Sequence, residues 1–320
     1  MVKIGTHSGT FHADEALAVY MLKLLPKFKD AEVVRSRNNA ILDECDIVVD
    51  VGGKYEPPKY FDHHQREFTT TFSEEHKTTK LSSAGLVYKH FGRDVVAKVL
   101  ETTADSNVVN AIYNRVYDSF IEPVDAYDNG VNPHDEQARF NTYSTTLRAV
   151  VGNMQPLWTE DESDAVYDAQ FKKASDLMGM AFELEVRNQG LSWYPARDLV
   201  KKAFEERTKY DPEGRLLVFE NYVPWNSHVH TLEQELGGKI IYVVYKTGDS
   251  VRVQAVPVFK GSFESRKPLP SPWRGLRDDT LSEASGIPGG VFVHASGFIG
   301  GNKTMEGALD LARKGLEFEE

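Results

Sequence analysis

The first third of the chain alternates short apolar runs with one amphipathic helical segment. Apolar side chains at residues 13–25 recur at helical spacing, and Pro26 follows, so a helix is predicted to end there. Short runs rich in Val, Ile and aromatic residues predict strands at residues 2–6, 31–35, 46–51 and 60–61. Strands that alternate with helices in this way predict an α/β fold with a doubly wound, mostly parallel sheet.

Beyond residue 80 the pattern becomes helical and then returns to strands. Helical spacing predicts helices at residues 83–91, 94–102, 107–127, 161–188 and 196–208. Strand-like runs return at residues 216–219, 239–245 and 251–256. A last amphipathic helix at 305–314 is expected to end at Gly315. This change of character predicts two domains, residues 1–190 and a smaller α/β domain at 191–320.

Composition and charge exclude several classes of protein. The 320 residues carry 37 Lys and Arg against 48 Asp and Glu, a net charge of −11, which argues against a broad basic surface for duplex nucleic acid. A nuclease stays open, because a channel needs only local basic side chains. Cys45 is the only cysteine, so an intramolecular disulfide is excluded and a reducing, intracellular compartment is expected. No apolar run approaches the roughly 18 residues of a membrane helix, and no targeting leader is recognisable, so we expect no membrane partner.

Metal-competent side chains follow three of the predicted strands. They are His7, with His12 and Asp14 close behind it, then Asp50, and the consecutive Asp62, His63 and His64. Ligands in open α/β sheets bind at the carboxyl ends of strands, so the three segments are expected to meet there. Mixed imidazole and carboxylate ligands suit manganese, zinc or iron. The pattern therefore predicts a binuclear metal site that hydrolyses phosphate esters.

Some of these residues also have a structural explanation when taken alone. Asp14 lies in the first turn of a predicted helix, where the helix dipole favours a carboxylate, and Asp50 precedes a glycine pair that is typical of a turn. Two histidines directly after an aspartate are harder to explain in this way. In a strand, His63 and His64 would point to opposite faces, so one could bind metal while the other faces the substrate. Asp62 could orient one of the imidazoles.

Two later segments add candidate ligands. Asp125 and Asp128 share a helix face at i, i+3, although Asp128 is equally explained as part of a helix stop. Between residues 294 and 304, three glycines and a lysine lead into the last helix, which predicts either a phosphate cradle or a glycine turn that caps this helix. The substrate-binding candidates are His294, Gly300, Gly301 and Lys303, together with the upstream Arg274.

These segments resemble, in order, the four motifs of the DHH superfamily of metal-dependent phosphoesterases. The closer resemblance is to the MYG family, named from a melanocyte-proliferation gene. It is carried by THSGTFHADEALAVYMLKLLP, VVDVGG, YFDHHQREF, PVDAYDNGVN and HASGFIGGNKT, which run from Thr6 to Thr304. The resemblance covers nearly the whole chain, and its first and third motifs are specific.

The resemblance implies a DHH phosphoesterase domain followed by a smaller substrate-binding domain. Members are 3′–5′ RNA exonucleases associated with mitochondria and the nucleus, so single-stranded RNA or short oligonucleotides are the expected substrates. The nucleus and the mitochondrion, with the cytoplasm as the alternative, are the expected locations. By analogy, the ligands of two Mn²⁺ ions, with Mg²⁺ as the alternative, would be His7, Asp14, Asp50, His63 and one of Asp125 or Asp128.

One departure from the usual first motif concerns His12. The usual motif has an aspartate four residues after its histidine, whereas here His12 stands five residues after His7. An imidazole in place of a carboxylate removes a negative charge from the site. His12 is thus a candidate ligand whose role stays open.

The expected mechanism is two-metal hydrolysis, in which two ions roughly 3.5–4 Å apart clamp the attacking and leaving oxygens. The expected catalytic residues are Asp50, which would bridge both ions, Asp62, and His64, which the resemblance places on the scissile phosphate.

Three classes of function stay open from the sequence. The first is an exonuclease, whose bases would stack on Phe11, Phe298, Trp273 or Trp225. The second is a small-molecule phosphoesterase or pyrophosphatase with a cramped pocket. The third is a metal-stabilised binding protein without catalysis. The oligomeric state is unknown from the pattern.

Overall fold

The computed structural model describes residues 1–136, 140–141 and 143–319. The chain divides into two compact units, Met1–Tyr194 (unit 1) and Pro195–Glu320 (unit 2). The predicted domain boundary after residue 190 lies within the π-helical turn Asn188–Trp193, close to this division. Among the described residues, no helix combines the length and the apolar character that crossing a membrane requires.

Unit 1 alternates short strands with helices. Its strands are β1 (Lys3–Thr6), β2 (Glu32–Arg35), β3 (Ile47–Val49), β4 (Tyr55–Glu56), β5 (Tyr60–Phe61), β6 (Thr71–Ser73) and β7 (His76–Lys80). Its helices are α1 (Ala13–Leu24), α2 (Asn39–Leu42), α3 (Ser83–Val99), α4 (Asn107–Val116), α5 (Glu122–Asp128), α6 (Leu147–Gly152) and α7 (Asp164–Arg187). The helix predicted at 107–127 is thus interrupted by a π-helical turn, Tyr117–Ile121, which joins α4 to α5.

A five-stranded sheet in the order β2-β1-β3-β5-β4 organises unit 1. Neighbouring strands run parallel except at the edge, where β4 is antiparallel to β5. Val49 and Phe61 belong to the main core, which also contains residues of α1, α3 and α7. Val48 and Tyr60 belong to a smaller cluster with Leu42 of α2. This arrangement confirms the predicted α/β fold with a mostly parallel sheet.

One helix, α3, stands where two were predicted at 83–91 and 94–102. Gly92 lies inside it, and a Cβ atom there would stand 2.8 Å from the Tyr88 ring and 3.0 Å from the Tyr113 ring. The glycine permits close aromatic packing against the helix and does not end it. The predicted break was wrong because tertiary packing outweighs the low helix propensity of glycine.

Unit 2 is smaller and is built on a mostly antiparallel sheet. Its strands are β8 (Leu216–Phe219), β9 (Tyr242–Thr247), β10 (Ser250–Ala255), β11 (Gly290–Val293) and β12 (Ile299–Asn302). Its helices are α8 (Tyr194–Glu205), which begins at the last residue of unit 1, α9 (Asn226–Leu236), α10 (Asp278–Ser285) and α11 (Met305–Glu317). The sheet order is β11-β12-β10-β9-β8, with only the β8–β9 pair parallel among the described strands of this sheet. Unit 2 is therefore a second, smaller α/β unit, as the sequence predicted.

The last helix continues past the glycine that was expected to end it. Gly315 lies inside α11, which ends at Glu317. A Cβ atom at Gly315 would stand 3.1 Å from the hydroxyl of Tyr242 in β9. Glycine at this position lets the helix approach the sheet, and the predicted helix end was wrong.

Candidate metal centre

The carboxyl ends of three neighbouring strands meet at one edge of the unit 1 sheet. β1, β3 and β5 are adjacent and parallel, so the residues that follow them, His7, Asp50 and Asp62, lie at that edge. The His7 Nε2 atom is 3.3 Å from Asp50 Oδ2. Asp50 has a φ of 59°, a left-handed conformation that is uncommon outside glycine, and such strained residues are concentrated at functional sites.

The N-terminus of α1 supplies further side chains to the same cluster. His12 is the N-cap residue, and its amide donates a hydrogen bond of 2.8 Å to the Glu15 carboxylate. The same carboxylate lies 3.1 Å from His7 Nε2. The buried Asp14 accepts a hydrogen bond of 2.6 Å from the hydroxyl of Ser83. The first turn of α1 thus carries three metal-competent side chains.

Two residues near His7 were missed by the sequence reasoning. The one sequence signal of Glu15 is its place three residues after His12, which is typical of a capping box and predicts a helix start, not a ligand. The Arg37 guanidinium lies 3.3 Å from His7 Nδ1 and donates a hydrogen bond to the carbonyl of Ser8. No local pattern connects Arg37 with a histidine that precedes it by 30 residues.

The side chains of His63 and His64 lie together, although a strand would have pointed them to opposite faces. β5 ends at Phe61, so strand alternation does not extend to them. Their rings are stacked with centroids 4.3 Å apart, and each Nδ1 atom is 3.5 Å from Asp50 Oδ1. The His63 side chain is 8% exposed, whereas that of His64 is 61% exposed. His63 is therefore a buried candidate ligand, and His64 lies at the surface of the cluster.

Asp62 holds His64 in this position. Its Oδ1 atom is 2.7 Å from His64 Nδ1, and its other oxygen accepts a hydrogen bond from the Gly53 amide. Burial alone would raise the pKa of Asp62, but the bonds from His64 and Gly53 lower it below the ordinary value. The same contact with Asp62 raises the pKa of His64. The pair therefore favours a positively charged imidazole next to the cluster.

Asp128 is the α5 aspartate that the structure places in the cluster. Its Oδ2 atom is 2.9 Å from His63 Nε2. It also lies close enough to His12 and Asp14 for the three to hold one ion. The i, i+3 spacing did not separate Asp128 from Asp125, because it places both on one helix face.

Asp125 has a different set of partners. It is fully buried, and its Oδ1 atom accepts hydrogen bonds from the Ser82 amide and hydroxyl and from the Gly85 amide, at the N-terminus of α3. Burial raises its pKa to about 8. Among the described residues, the groups that could hold an ion do not include Asp125. The contacts of Oδ1 are those of a helix cap, whereas Oδ2 is buried without a hydrogen-bond partner among the described residues.

Three groups of described side chains could each hold a metal ion. In each group, one ligand atom from every member lies within 4.8 Å of the others. The groups are His7, His12, Glu15 and Asp50; Asp50, Asp62, His63 and His64; and His12, Asp14 and Asp128. Asp50 and His12 each belong to two groups, so the groups adjoin one another.

Unpaired atoms inside this cluster fit a bound cation. Within the described part of the chain, Asp14 Oδ1, Asp50 Oδ1 and His63 Nδ1 are buried and have no hydrogen-bond partner. A buried polar atom left unpaired costs about 1–3 kcal/mol, and most such atoms in folded proteins are paired. Divalent cations bound by the adjoining ligand groups would satisfy these atoms, because Asp14 belongs to one group and Asp50 and His63 to another. Imidazole with carboxylate is a donor set that transition metals accept.

The charges of the cluster also call for positive charge. Burial raises the pKa of Asp14, Glu15 and Asp50 because an ionised carboxylate loses its water there. Burial lowers the pKa of His7 and His63, but their carboxylate partners outweigh this and raise the two values to about 10 and about 9. Protons on the histidines therefore balance the carboxylates, and a metal ion would replace those protons.

A cavity of about 760 Å³ in unit 1 opens onto the cluster. Its lining includes His12, Asp14, His63 and Asp128. Its volume lies within the roughly 300–1,000 Å³ that is usual for small-molecule sites. The metal-competent side chains are therefore accessible to a ligand of nucleotide size.

The aromatic residues that were expected to stack bases are mostly buried. Phe11, Trp225 and Trp273 are each at most 5% exposed, so their faces are covered by the protein itself. Phe298 in unit 2 is 37% exposed. The expectation was wrong for the first three because their rings pack in the cores of their units.

The glycine segment of unit 2 does not form the expected loop. Gly300 and Gly301 lie in β12, which pairs on one side with β10 and on the other with β11. Thr304 caps α11 by accepting a hydrogen bond from the Gly307 amide. The prediction of a phosphate cradle with free glycine amides was therefore wrong, because sheet pairing already engages the backbone at both glycines.

The other substrate-binding candidates of unit 2 have ordinary local contacts. His294 is exposed, and its Nδ1 atom is 2.9 Å from the Ser296 hydroxyl. Arg274 donates a hydrogen bond of 2.8 Å to the carbonyl of Leu269, and Lys303 is exposed. Binding of substrate by these residues stays a prediction.

Comparison with known proteins places the chain beside a family of eukaryotic proteins. The family model MYG1_exonuc, described as Uncharacterised protein family (UPF0160), matches residues 3–316. A MYG1 protein of Schizosaccharomyces pombe is 50% identical over 324 residues, covering 99% of this chain and 98% of the relative. The MYG1 exonuclease of Mus musculus is 48% identical, covering 98% of this chain and 84% of the relative. That of Homo sapiens is 46% identical, covering 98% and 85%.

Solved structures with a weaker likeness are those of RecJ. RecJ from Thermus thermophilus in complex with Mn²⁺ matches with a TM-score of 0.27 and 13% identity, covering 99% of this chain and 52% of that one. Exonuclease RecJ bound to manganese matches with a TM-score of 0.23 and 11% identity, covering 99% and 91%. At these TM-scores the likeness supports no inference about this chain.

Proposed function

Because this chain belongs to the MYG1_exonuc family, we propose that it is a metal-dependent exonuclease that degrades single-stranded RNA or short oligonucleotides from the 3′ end. The observation that carries the proposal is the presence of three buried, unpaired ligand atoms, two just after strands β3 and β5 and one in the first turn of α1. A metal-dependent nuclease needs such a site beside an accessible cavity. The relatives named as exonucleases supply the reaction class.

The finer parts of the proposal rest on the family resemblance and on donor chemistry. These parts are the RNA substrate, the 3′–5′ polarity, Mn²⁺ as the native ion with Mg²⁺ as the alternative, and a nuclear or mitochondrial location. Mixed imidazole and carboxylate ligands favour Mn²⁺ over Mg²⁺, which prefers oxygen ligands and bound water.

The adjoining ligand groups suit two ions. His7, Glu15 and Asp50 would hold one of them, with Asp50 shared with a second group that includes His63. Asp14 and Asp128 would complete the second set, since both lie close to His63 or His12. When bound, divalent ions lower the pKa of water and neutralise charge on the phosphate.

His64 would act on the substrate itself. Its side chain is 61% exposed, and its Nδ1 atom contacts Asp62, so the other ring nitrogen can donate toward a phosphate oxygen. The raised pKa of His64 favours the charged form, which stabilises the negative charge of a phosphodiester under attack.

The cavity supports an oligonucleotide substrate over pyrophosphate. A small-molecule phosphatase would be served by a cramped site, whereas the space beside the cluster amounts to about 760 Å³. A binding protein without catalysis would not require buried ligand atoms that face an accessible cavity. Hydrolysis assays on RNA, pyrophosphate and a dinucleotide distinguish these two alternatives from the exonuclease.

The test is hydrolysis of a 5′-labelled single-stranded RNA with added Mn²⁺, in the wild type, Asp50→Asn and Asp125→Asn. We expect a ladder that shortens from the 3′ end in the wild type. Asp50→Asn should lower the rate by about 100-fold or more, because loss of a group that only orients a metal ligand already costs about 10–100-fold. Asp125→Asn is the matched control, because it changes an equally buried aspartate outside the ion-holding groups. It should retain activity.

Other outcomes choose between the alternatives. Cleavage of pyrophosphate or a dinucleotide with intact RNA would replace the exonuclease by a small-molecule phosphoesterase. Absence of turnover on all three substrates, with Mn²⁺ still bound, would favour the binding protein. Equal loss of activity in Asp125→Asn and Asp50→Asn would contradict the assignment of the ligand set.

A further inference from the structure

The cavity beside the candidate metal centre is lined by two chemically different groups of residues. One part of the lining consists of the metal-competent His12, Asp14, His63 and Asp128. Much of the remainder is aromatic or apolar and comes from Phe120, Tyr127, Tyr143, Leu147 and Met178. A ligand that fills this cavity would therefore place an anionic group at the cluster and an apolar group at the aromatic wall.

Two tyrosines and an arginine make the aromatic wall suitable for a planar ligand. Tyr143 is 62% exposed, which leaves much of its ring uncovered. Tyr127 is partly exposed, and the Arg148 guanidinium lies 5.8 Å from its ring centroid. Aromatic faces with a neighbouring guanidinium are the groups on which proteins stack nucleobases. All three residues line the cavity.

We infer that this cavity receives the nucleobase of the nucleotide whose phosphodiester lies at the candidate metal centre. The inference rests on the proposed function and names the part of the substrate that unit 1 recognises. One nucleotide carries both a phosphate and a base, so a single ligand can contact the metal-competent wall and the aromatic wall of the cavity at once. Stacking accepts the π face of any base, so the recognition is tolerant of sequence. Tyr143 and Tyr127 are the specificity-determining residues, which favour a nucleotide over a bare sugar phosphate.

The experiment compares the binding of uridine 5′-monophosphate and ribose 5-phosphate by titration calorimetry, with Mn²⁺ present. The proteins are the wild type, Tyr143→Ala, Tyr143→Phe and Trp158→Ala. The phenylalanine variant keeps the ring, and Trp158 is a control because it is 87% exposed and is not among the residues that line the cavity. We expect the wild type to bind the nucleotide about tenfold or more tightly than the sugar phosphate, the size of one base–aromatic stack.

The variants decide the inference. Tyr143→Ala should lose most of the preference for the nucleotide, while Tyr143→Phe and Trp158→Ala retain it. Equal binding of the two ligands by the wild type, no nucleotide binding at millimolar concentration, or an unchanged preference in Tyr143→Ala would each overturn the inference. These results do not depend on turnover. Degradation of RNA without a preference for the nucleotide would refute the base pocket alone, and a preference through Tyr143 with intact RNA would refute the exonuclease alone.

Discussion

The two oxygens of Asp14 have different environments, which is informative at the scale of single residues. Oδ2 accepts hydrogen bonds from the hydroxyl and the amide of Ser83, whereas Oδ1 is buried without a partner. Ser83 thus fixes the rotation of the carboxylate and leaves one oxygen for a cation. The neighbouring Ser82 makes an equivalent bond to Asp125, outside the ion-holding groups.

Ser83→Ala is expected to lower the Mn²⁺ affinity by about 10–100-fold, because loss of a hydrogen bond that orients a ligand has this effect at metal sites. Ser82→Ala removes a comparable buried hydroxyl bond from Asp125, so it should cost similar stability but leave metal affinity nearly unchanged. Titration calorimetry with Mn²⁺ and thermal unfolding separate the two effects. Equal losses of affinity in both variants would refute the orienting role of Ser83.

Protons on His7 and His63 should compete with the metal. Their pKa values of about 10 and about 9 mean that both imidazoles are charged at pH 7 without metal, whereas ligation needs the neutral ring. We expect Mn²⁺ affinity to rise from pH 6 to pH 9, with net proton release. Calorimetry in two buffers of different ionisation enthalpy measures that release, and its absence at pH 7 would contradict the expected protonation.

The same shifts have a defined sign for the metal-free protein. The folded pKa values lie above the ordinary histidine value of 6.5, so this contribution to stability is complete below pH 6.5 and is lost as the pH rises through about 9 and 10. Unfolding experiments in a chelator should follow that direction.

At the scale of elements, the packing of α5 against α3 fixes the positions of the two α5 aspartates, Asp125 and Asp128. Asp125 of α5 accepts hydrogen bonds from the first turn of α3, so a carboxylate satisfies amides at a helix N-terminus. Asp128, three residues later, lies beside His63. The cap and the candidate ligand are thus carried by one short helix.

Gly85→Ala should destabilise the fold by about 1–3 kcal/mol, because a Cβ atom at residue 85 would collide with the Asp125 carboxylate. We expect reduced Mn²⁺ affinity as well, since α5 carries Asp128. Gly152→Ala in α6 is the control, because a Cβ atom there meets nothing within 4 Å. Chemical denaturation of the two variants gives the comparison, and similar stabilities would argue against the close α3–α5 packing.

The predictability of elements from the sequence follows the range of the forces involved. Four strands of unit 1 (β1, β2, β3 and β5) and several amphipathic helices were predicted from periodicity, because side chains two to four residues apart share a face. The short strands β4, β6 and β7 were not predicted. The break within α3 and the end of α11 were predicted wrongly. There, Gly92 makes room for the ring of Tyr113, as well as that of the nearby Tyr88, and Gly315 makes room for Tyr242. Local propensity contains no information about Tyr113 or Tyr242, which are distant in sequence.

At the scale of the whole molecule, unit 1 contains every member of the three ion-holding groups. Those side chains lie between His7 and Asp128, and the largest hydrophobic cluster falls within residues 1–194. Unit 2 has its own hydrophobic clusters. The candidate metal centre is therefore complete within one compact unit of the fold.

A fragment of residues 1–194 is expected to fold and to bind Mn²⁺ with the affinity of the full chain, because the ligands and the residues that pack behind them are retained. Circular dichroism and titration calorimetry test this, with the Asp50→Asn fragment as the control for nonspecific binding. A fragment that folds but binds no Mn²⁺ would mean that ligands outside unit 1 are required.

The sequence by itself determined the α/β class, most elements and the chemical types in the metal centre. These depend on short-range periodicity and on residues such as the consecutive His63 and His64, whose metal-binding chemistry follows from their residue type. Only the tertiary structure decided that Asp128 and Glu15 join the cluster, that Asp125 caps a helix, and that Tyr143 is exposed beside it. Burial and partner choice arise between segments far apart in the chain, so a local pattern cannot determine them.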